Sequence, residues 1–286
     1  MKRSFRFLVD TGSELDEELR SMMDIGILCT GISISNKDML SYPEWTGISK
    51  EEFFYNLSTD NVKIYQPSIN VWKDEIEKVF AAGEDVLFLG MSSRFAGGIK
   101  NLNIAKNLLK PKYPESRLEI VDSGLVGAGY KCLSCAIADW LSTEHIYDLD
   151  KAISGIENMF LGKAHSFWFV SHSDAYIKAN RGIDKDFSLK NEYIVIASKD
   201  SSFHIAYETA KENDAIDFIQ NETNNLGKVR DWEFVYSPDW NDSDIEPIIA
   251  NYADFFGKGA SHRITYQSPT VTAVVGPLSY SVGVLV

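Results

Sequence analysis

Four corners of this chain gather the hydroxyls and glycines that a bound ligand would need. "TGS" follows the apolar run "FLVD", "YQPS" follows the segment at Val62, "SSRFAGG" follows "FLGM", and "DSGLVGAG" follows "EIV". Serine hydroxyls, and backbone N–H groups of glycine-rich turns at a helix start, are donors for an anion or a polar head group. Asp10 and Asp122 close two of the apolar runs and are placed to cap helices or to receive backbone N–H bonds. Taken singly, such a corner is also a plain tight turn, with glycines for φ > 0 and serines as caps. Four together favour a site.

The pattern supplies no activated nucleophile. There is no G-x-S-x-G elbow, Walker loop or G-x-G-x-x-G, and no Ser–His–acid set can be assembled. Cys132 and Cys135 form a C-x-x-C inside the apolar helical pattern "YKCLSCAIADW", so they read as core thiols rather than a redox pair. Zinc would need a second Cys pair or an H-x-x-x-H. "DWNDSDIE" fails as a calcium loop, because Asp244 stands where glycine is required and Ala250 where the bidentate glutamate belongs. Among His145, His165, His172, His204 and His262, only His172 follows a strand into a loop that would face a cleft. No catalysis and no metal or cofactor are therefore expected. An enzyme using the Ser/Asp corners for hydrolysis or phosphoryl transfer is the competing reading, and a ligand-free interaction protein is a third.

The elements that position these corners alternate through the first half. "FRFLVD" reads as a buried strand before the helical "TGSELDEELRSMM", where Thr11 and Glu14 have capping-box spacing. "IGILCTGISIS" is a further β-like run. Ser49 and Glu52 repeat the capping-box spacing before "FFYNL", and "QPSINVWKDEIEKVFAAG" predicts a helix from Ser68 to Gly83. "DVLFLGM", "IKNLNIAKNLL", "RLEIVDS" and "YKCLSCAIADWL" continue as strand, helix, strand, helix. Such alternation implies a mostly parallel sheet covered by helices. "DLDKAISGIENMF" then leads into a half with strands "SFWFVS", "EYIVIAS", "SFHIAYE" and "WEFVYS", and a strand-like end, "TVTAVVGPLSYSVGVLV". Helical candidates "DAIDFIQNETNNL" and "DIEPIIANYADFF" lie between. The expected fold is two α/β domains, residues 1–148 with a mostly parallel sheet and residues 149–286 with a mixed one.

Composition is that of a globular protein: 286 residues, 44% hydrophobic and 24% charged. The net charge of −13 opposes binding to nucleic acid or anionic membranes. No apolar run nears the ~20 residues of a membrane helix. The start, "MKRSFRFLVD", is too short in its apolar part for a signal peptide, and three cysteines are too few for a disulfide framework. A cytoplasmic protein is expected.

In order along the chain, "VDTGSEL", "IYQPS", "SSRFAGGI" and "VDSGLVGAG" are similar to the signatures of the DegV family of fatty-acid-binding proteins. There the corresponding stretches read D-S, T-S-Q-P-S, S-S-x-L-S-G-T-Y and V-D-S…G-x-G. "FVSHSDAYIKANRGI" resembles the family segment Y-L-K-x-G-G-R-I. The resemblance implies a long acyl chain buried between two α/β domains, with its carboxylate held by hydroxyls and N–H groups of the first. It also implies presentation of the cargo to a partner kinase.

Carried over position by position, the ligand residues are Tyr65, Gln66, Ser92, Ser93, Ala96, Gly97, Gly98, Ser123 and Arg181. Several depart from the family pattern. Ile64 and Tyr65 stand for Thr-Ser, Ala96 for serine and Gly98 for threonine; Arg181 lies one position before the family arginine, where Gly182 is in register. The C-terminal H-x-G-P-G has no counterpart in "GPLSYSVGVLV". A buried carboxylate costs several kcal/mol of desolvation, and each charged hydrogen bond recovers only ~1.5–3 kcal/mol. Fewer donors thus shift the expected cargo toward a less charged lipid.

Overall fold

A computed structural model describes residues 4–94, 98–171, 191–199, 202–257 and 261–286. Its first layer is a four-stranded parallel sheet in the order β2-β1-β6-β7, made of Ile25–Leu28, Phe5–Asp10, Asp85–Gly90 and Leu118–Asp122. Phe7, Val9, Leu87 and Leu89 are buried on one face of it, and Leu8, Val86 and Phe88 on the other. Burial on both faces explains their near-continuous apolar runs.

Helices α3 (Ile69–Ala81) and α4 (Gly98–Leu109) cover the second face. Trp72, Ile76 and Phe80, one turn apart on α3, and Leu102, Ala105 and Leu109 on α4 supply the buried stripe. The first face meets α5 (Ala128–Thr143), which is sandwiched between this sheet and a second one. Eleven of its residues are buried, as befits a helix with sheet on both sides.

The second sheet has six strands in the order β10-β9-β8-β13-β11-β12. These are Ser202–Thr209, Tyr193–Lys199, Ala164–Val170, Tyr280–Leu285, Asp231–Tyr236 and Ser261–Tyr266. Only β11–β12 is parallel, so the sheet is mixed, as expected. Its far face packs helices Glu212–Leu226 and Asp242–Phe256 through an aromatic cluster including Trp232, Phe234, Tyr252 and Tyr280.

Local structure adds to or departs from the expected elements at four places. Thr11 and Glu14 do not form a capping box. Thr11–Ser13 is a short 3-10 turn capped by Asp10, while α1 (Glu17–Met23) starts at Asp16, whose carboxylate accepts from Leu19 N–H at 2.9 Å. "IGILCTGISIS" is two strands in different sheets, because β3 (Thr30–Ile34) leaves to pair antiparallel with β4 (Lys37–Ser41) and β5 (Val62–Tyr65). Ser35 and Asn36, both at positive φ, make the two-residue turn between β3 and β4. "SHRITY" is a strand despite its weak apolar content. "PTVTAVV" is a helix, Pro269–Val275, despite its β-branched residues: Ser268 caps Val271 N–H and proline occupies the first position. By contrast, the Ser49 cap on α2 (Lys50–Ser58) forms as its spacing predicts. Among the described residues no helix is long and apolar enough to cross a membrane.

Candidate functional site

Because β2, β1, β6 and β7 run parallel, their carboxyl ends share one edge, the usual ligand side of an open α/β sheet. Asp10 ties two corners together there. Its carboxylate accepts from Gly12 N–H at 3.0 Å and from Met91 N–H at 2.8 Å. Asp122 does the same two strands over, on the far side of β6, accepting from Ser93 N–H at 3.2 Å and Gly124 N–H at 2.9 Å. Backbone bonds complete the weld: Ser92 N–H to Leu125 O, Ser123 N–H to Gly90 O, and Gly127 N–H to Gly12 O. Three of the four corners are therefore one hydrogen-bonded unit.

The fourth corner arrives from β5. Tyr65 lies across Gly31, where a Cβ would sit 2.3 Å from its ring, and its hydroxyl donates to Met39 O at 3.4 Å. Gln66 reaches the first turn of α4; its buried Oε1 has no hydrogen-bond partner among the described residues and lies 3.4 Å from where a Cβ of Gly98 would be. Trp72 closes the other side, its ring against Gly98 and its Nε1–H donating to Cys29 O at 2.8 Å. Gly98 is thus a contact position on which any side chain would displace Trp72.

The expected residues divide by role. Ser123 is buried and its hydroxyl is spent on Leu125, donating to the carbonyl at 3.3 Å and accepting from the N–H at 3.1 Å. Ser92 is fully buried. Ser93 is exposed, Tyr65 and Gln66 are half-buried, and Gly98 opens α4. Ala96, Gly97, Arg181 and His172 lie outside the described residues. Arg94, exposed in the same loop, occupies the variable position after the two serines and is not among the expected residues.

Across from this edge, the β12-to-helix corner of the second sheet is bonded to it directly. Glu14 accepts from both the N–H and the hydroxyl of Ser268, the latter at 3.2 Å. Thr30 and Thr270 hydroxyls meet at 2.9 Å, and Trp45 Nε1–H donates to Gln267 O at 2.7 Å.

Burial raises the pKa of both carboxyls, Asp10 and Glu14. Burial pushes Asp10 up to about 7, against the bonds from Met91 and Gly12 and with Asp122 adding repulsion. Burial pushes Glu14 up to about 8, opposed by Ser268 and by Lys131. The folded protein thus keeps protons that the unfolded chain has released. Their stabilising contribution is complete below about pH 4 and is lost as pH rises through 7 to 8, with a slope of ~1.4 kcal/mol per pH unit for each proton. Glu14→Gln, which still accepts from Ser268 N–H, is expected to flatten the fall in urea midpoint between about pH 5 and 8. An unchanged slope would contradict this.

Two open surface hollows lie away from the candidate residues: one of about 550 Å³ lined by Asp16, Glu17, Glu18, Ser21 and Glu44, and one of about 260 Å³ at Arg6, Arg20 and Asp24. Among the described residues no group of three His, Cys, Asp or Glu side chains could hold a metal.

Comparison with known proteins returns one consistent likeness. Residues 4–172 match the family model described as "uncharacterised protein, DegV family". A DegV domain-containing protein of Clostridium acetobutylicum is 26% identical over 178 residues, 60% of this chain and 58% of that protein. The matched part of this chain therefore spans a little over half of that relative. Among solved structures, a stearic acid-binding protein of Eubacterium ventriosum superposes with a TM-score of 0.83 at 16% identity, covering 98% of each chain. A fatty acid kinase B3 protein of Streptococcus pneumoniae, loaded with linoleic acid, gives 0.80 at 12% identity, covering 100% of this chain and 99% of that one. At these identities the likeness shows a shared fold.

Proposed function

The chain belongs to the DegV family, and from that premise we propose that it is a cytoplasmic carrier of one long-chain fatty acid or a closely related lipid. The cargo lies between the two α/β halves, divided at residues 148 and 149, and is presented to a partner such as an acyl kinase. The observation that carries this reading is the union of the strand-end corners at one edge, with the β12-to-helix corner of the second sheet bonded against it. Whole-length likeness to folds described as fatty-acid-binding supports it.

At the polar end, Tyr65, Gln66, Ser93, Arg94 and the first turn of α4 at Gly98 contact the head group, joined by Ala96, Gly97 and Arg181. Ser92 and Ser123 shape the loops. Ile64, 36% exposed, offers no hydroxyl where the family has threonine, so the cation of Arg94 becomes the main partner of a carboxylate. The tail supplies most of the affinity, at ~0.8 kcal/mol for each methylene buried.

Delipidated protein titrated with stearic acid and with octadecanol tests this. Arg94→Gln is expected to weaken stearate about tenfold and to leave the alcohol within about twofold. Equal weakening of both contradicts the head-group assignment. Failure of the unmodified protein to bind either contradicts carriage. Turnover of an acyl ester that disappears in Ser93→Ala would favour an enzyme instead.

A further inference from the structure

Among the described residues, every sheet edge is blunted except one. β2 and β5 have four residues each, β4 carries Lys37 and Asp38, and β7 carries Glu119 and Asp122. β10, at one end of the six-stranded sheet, is interrupted by a bulge between Ile205 and Tyr207. Short length, charge and bulges are the usual means of keeping an unpaired strand from meeting another chain. β12, at the opposite end, has none of them. It is six residues long, pairs with β11 in unbroken register, and turns Arg263 inward onto Glu233 at 3.0 Å. Its two large apolar side chains, Ile264 and Tyr266, are 40% and 43% exposed.

The backbone shows what fits there. Gln267 N–H donates to Tyr236 O at 2.7 Å, inward toward β11. By the alternation of a strand, His262, Ile264 and Tyr266 then turn their N–H and C=O groups outward, where no strand meets them among the described residues. The side chains of Ile264 and Tyr266 share the face of the aromatic cluster, because their register partners are Phe234 and Tyr236. On that face the two ends of β12 differ in charge. Lys50 Nζ sits 3.9 Å over the Tyr266 ring. At the other end, Phe256 packs on Trp232, the register partner of His262, so helix Asp242–Phe256 finishes there. Its last turn holds Asp254 and no basic residue, which makes that end negative.

We propose that β12 is a self-association edge, pairing antiparallel with the β12 of a second copy about a two-fold axis at Ile264. In that register the backbone of Ile264 meets the partner's Ile264 and that of His262 meets the partner's Tyr266, so the outward groups satisfy one another. The two Ile264 side chains adjoin on one face. The two-fold also sets the Lys50 end of each copy beside the helix-terminal end of the other, unlike charge against unlike. A single strand pair is at the small end of specific interfaces, so dimer exchanges with monomer. None of this rests on the carrier reading.

Sedimentation velocity of the full chain from about 1 to 100 μM tests the association, and cysteine cross-linking reads the register. The unmodified protein is expected to pass from monomer to dimer over that range. Ile264→Lys sets like charges across the axis; it is expected to stay monomeric and to melt within about 2 °C of the unmodified monomer, because the side chain is exposed. Under mild oxidation Ile264→Cys is expected to give a disulfide-linked dimer, since residues facing across such a ladder lie about 5.5 Å apart at Cα. Tyr266→Cys is not, its two copies lying about 13 Å apart. Cys29, Cys132 and Cys135 are buried and stay silent. A monomer at every concentration would overturn self-pairing and leave the edge to a strand of another protein. A dimer that survives Ile264→Lys overturns this surface, and cross-linking through Tyr266→Cys but not Ile264→Cys overturns this register.

Discussion

Replacing Glu233 with alanine is expected to destabilise the protein by about 3–5 kcal/mol, because it strands a buried ammonium. Lys131 is wholly buried within α5 and Glu233 is 1% exposed on β11, with Nζ 3.3 Å from Oε2. The other carboxylate oxygen pairs with Arg263 at 3.0 Å, and Lys131 has one further bond, to Thr265 Oγ1 at 2.8 Å. Without the carboxylate, the ammonium keeps that hydroxyl alone among the described residues. The double replacement Lys131→Met with Glu233→Leu removes both charges, preserves the volume and is expected to recover most of the loss. Urea midpoints at fixed pH measure all three. A single variant within about 1 kcal/mol of the unmodified protein, or a double no better than the single, would contradict the burial of this pair.

Gly283→Ala is expected to cost about 3 kcal/mol or more, or to prevent folding. Gly283 lies on β13 directly beneath the start of α5. A Cβ there would sit 2.1 Å from the carbonyl carbon and oxygen of Ala128 and 2.3 Å from Gly129 N. These are backbone atoms, and they are pinned: Ala128 N–H donates to Ser281 Oγ at 3.0 Å and Gly129 N–H to Ser166 Oγ at 3.3 Å. No rotamer change relieves the clash; α5 itself must lift, and with it the shared wall of both sheets. A variant with an unaltered urea midpoint would show that α5 does not seat on this sheet so closely.

These two sites illustrate what the sequence discloses. The parallel sheet was legible because strands buried on both faces, such as "DVLFLG", read as continuous apolar runs between amphipathic helices. Convergence of the corners followed from topology alone. What hid was whatever depends on partners distant in the chain. Lys131 inside "YKCLSCAIADWL" and Glu233 inside "WEFVYS" are each a lone charge in an apolar run, yet 102 residues separate them and nothing local announces the pair. Glu14 has the spacing of a helix cap but is diverted to Ser268, 254 residues away, because a direct bond across the seam displaces a local one. The cysteines kept the reading given them: both are buried and free within α5, and burial pushes the Cys135 thiol up to about 12.

Native mass spectrometry of gently purified protein tests carriage most directly. The expected result is a second species heavier by one long-chain acyl ligand, which leaves on denaturation and returns when delipidated protein is mixed with stearic acid. A single species at the mass of the bare chain, unchanged after exposure to stearic acid, would contradict it.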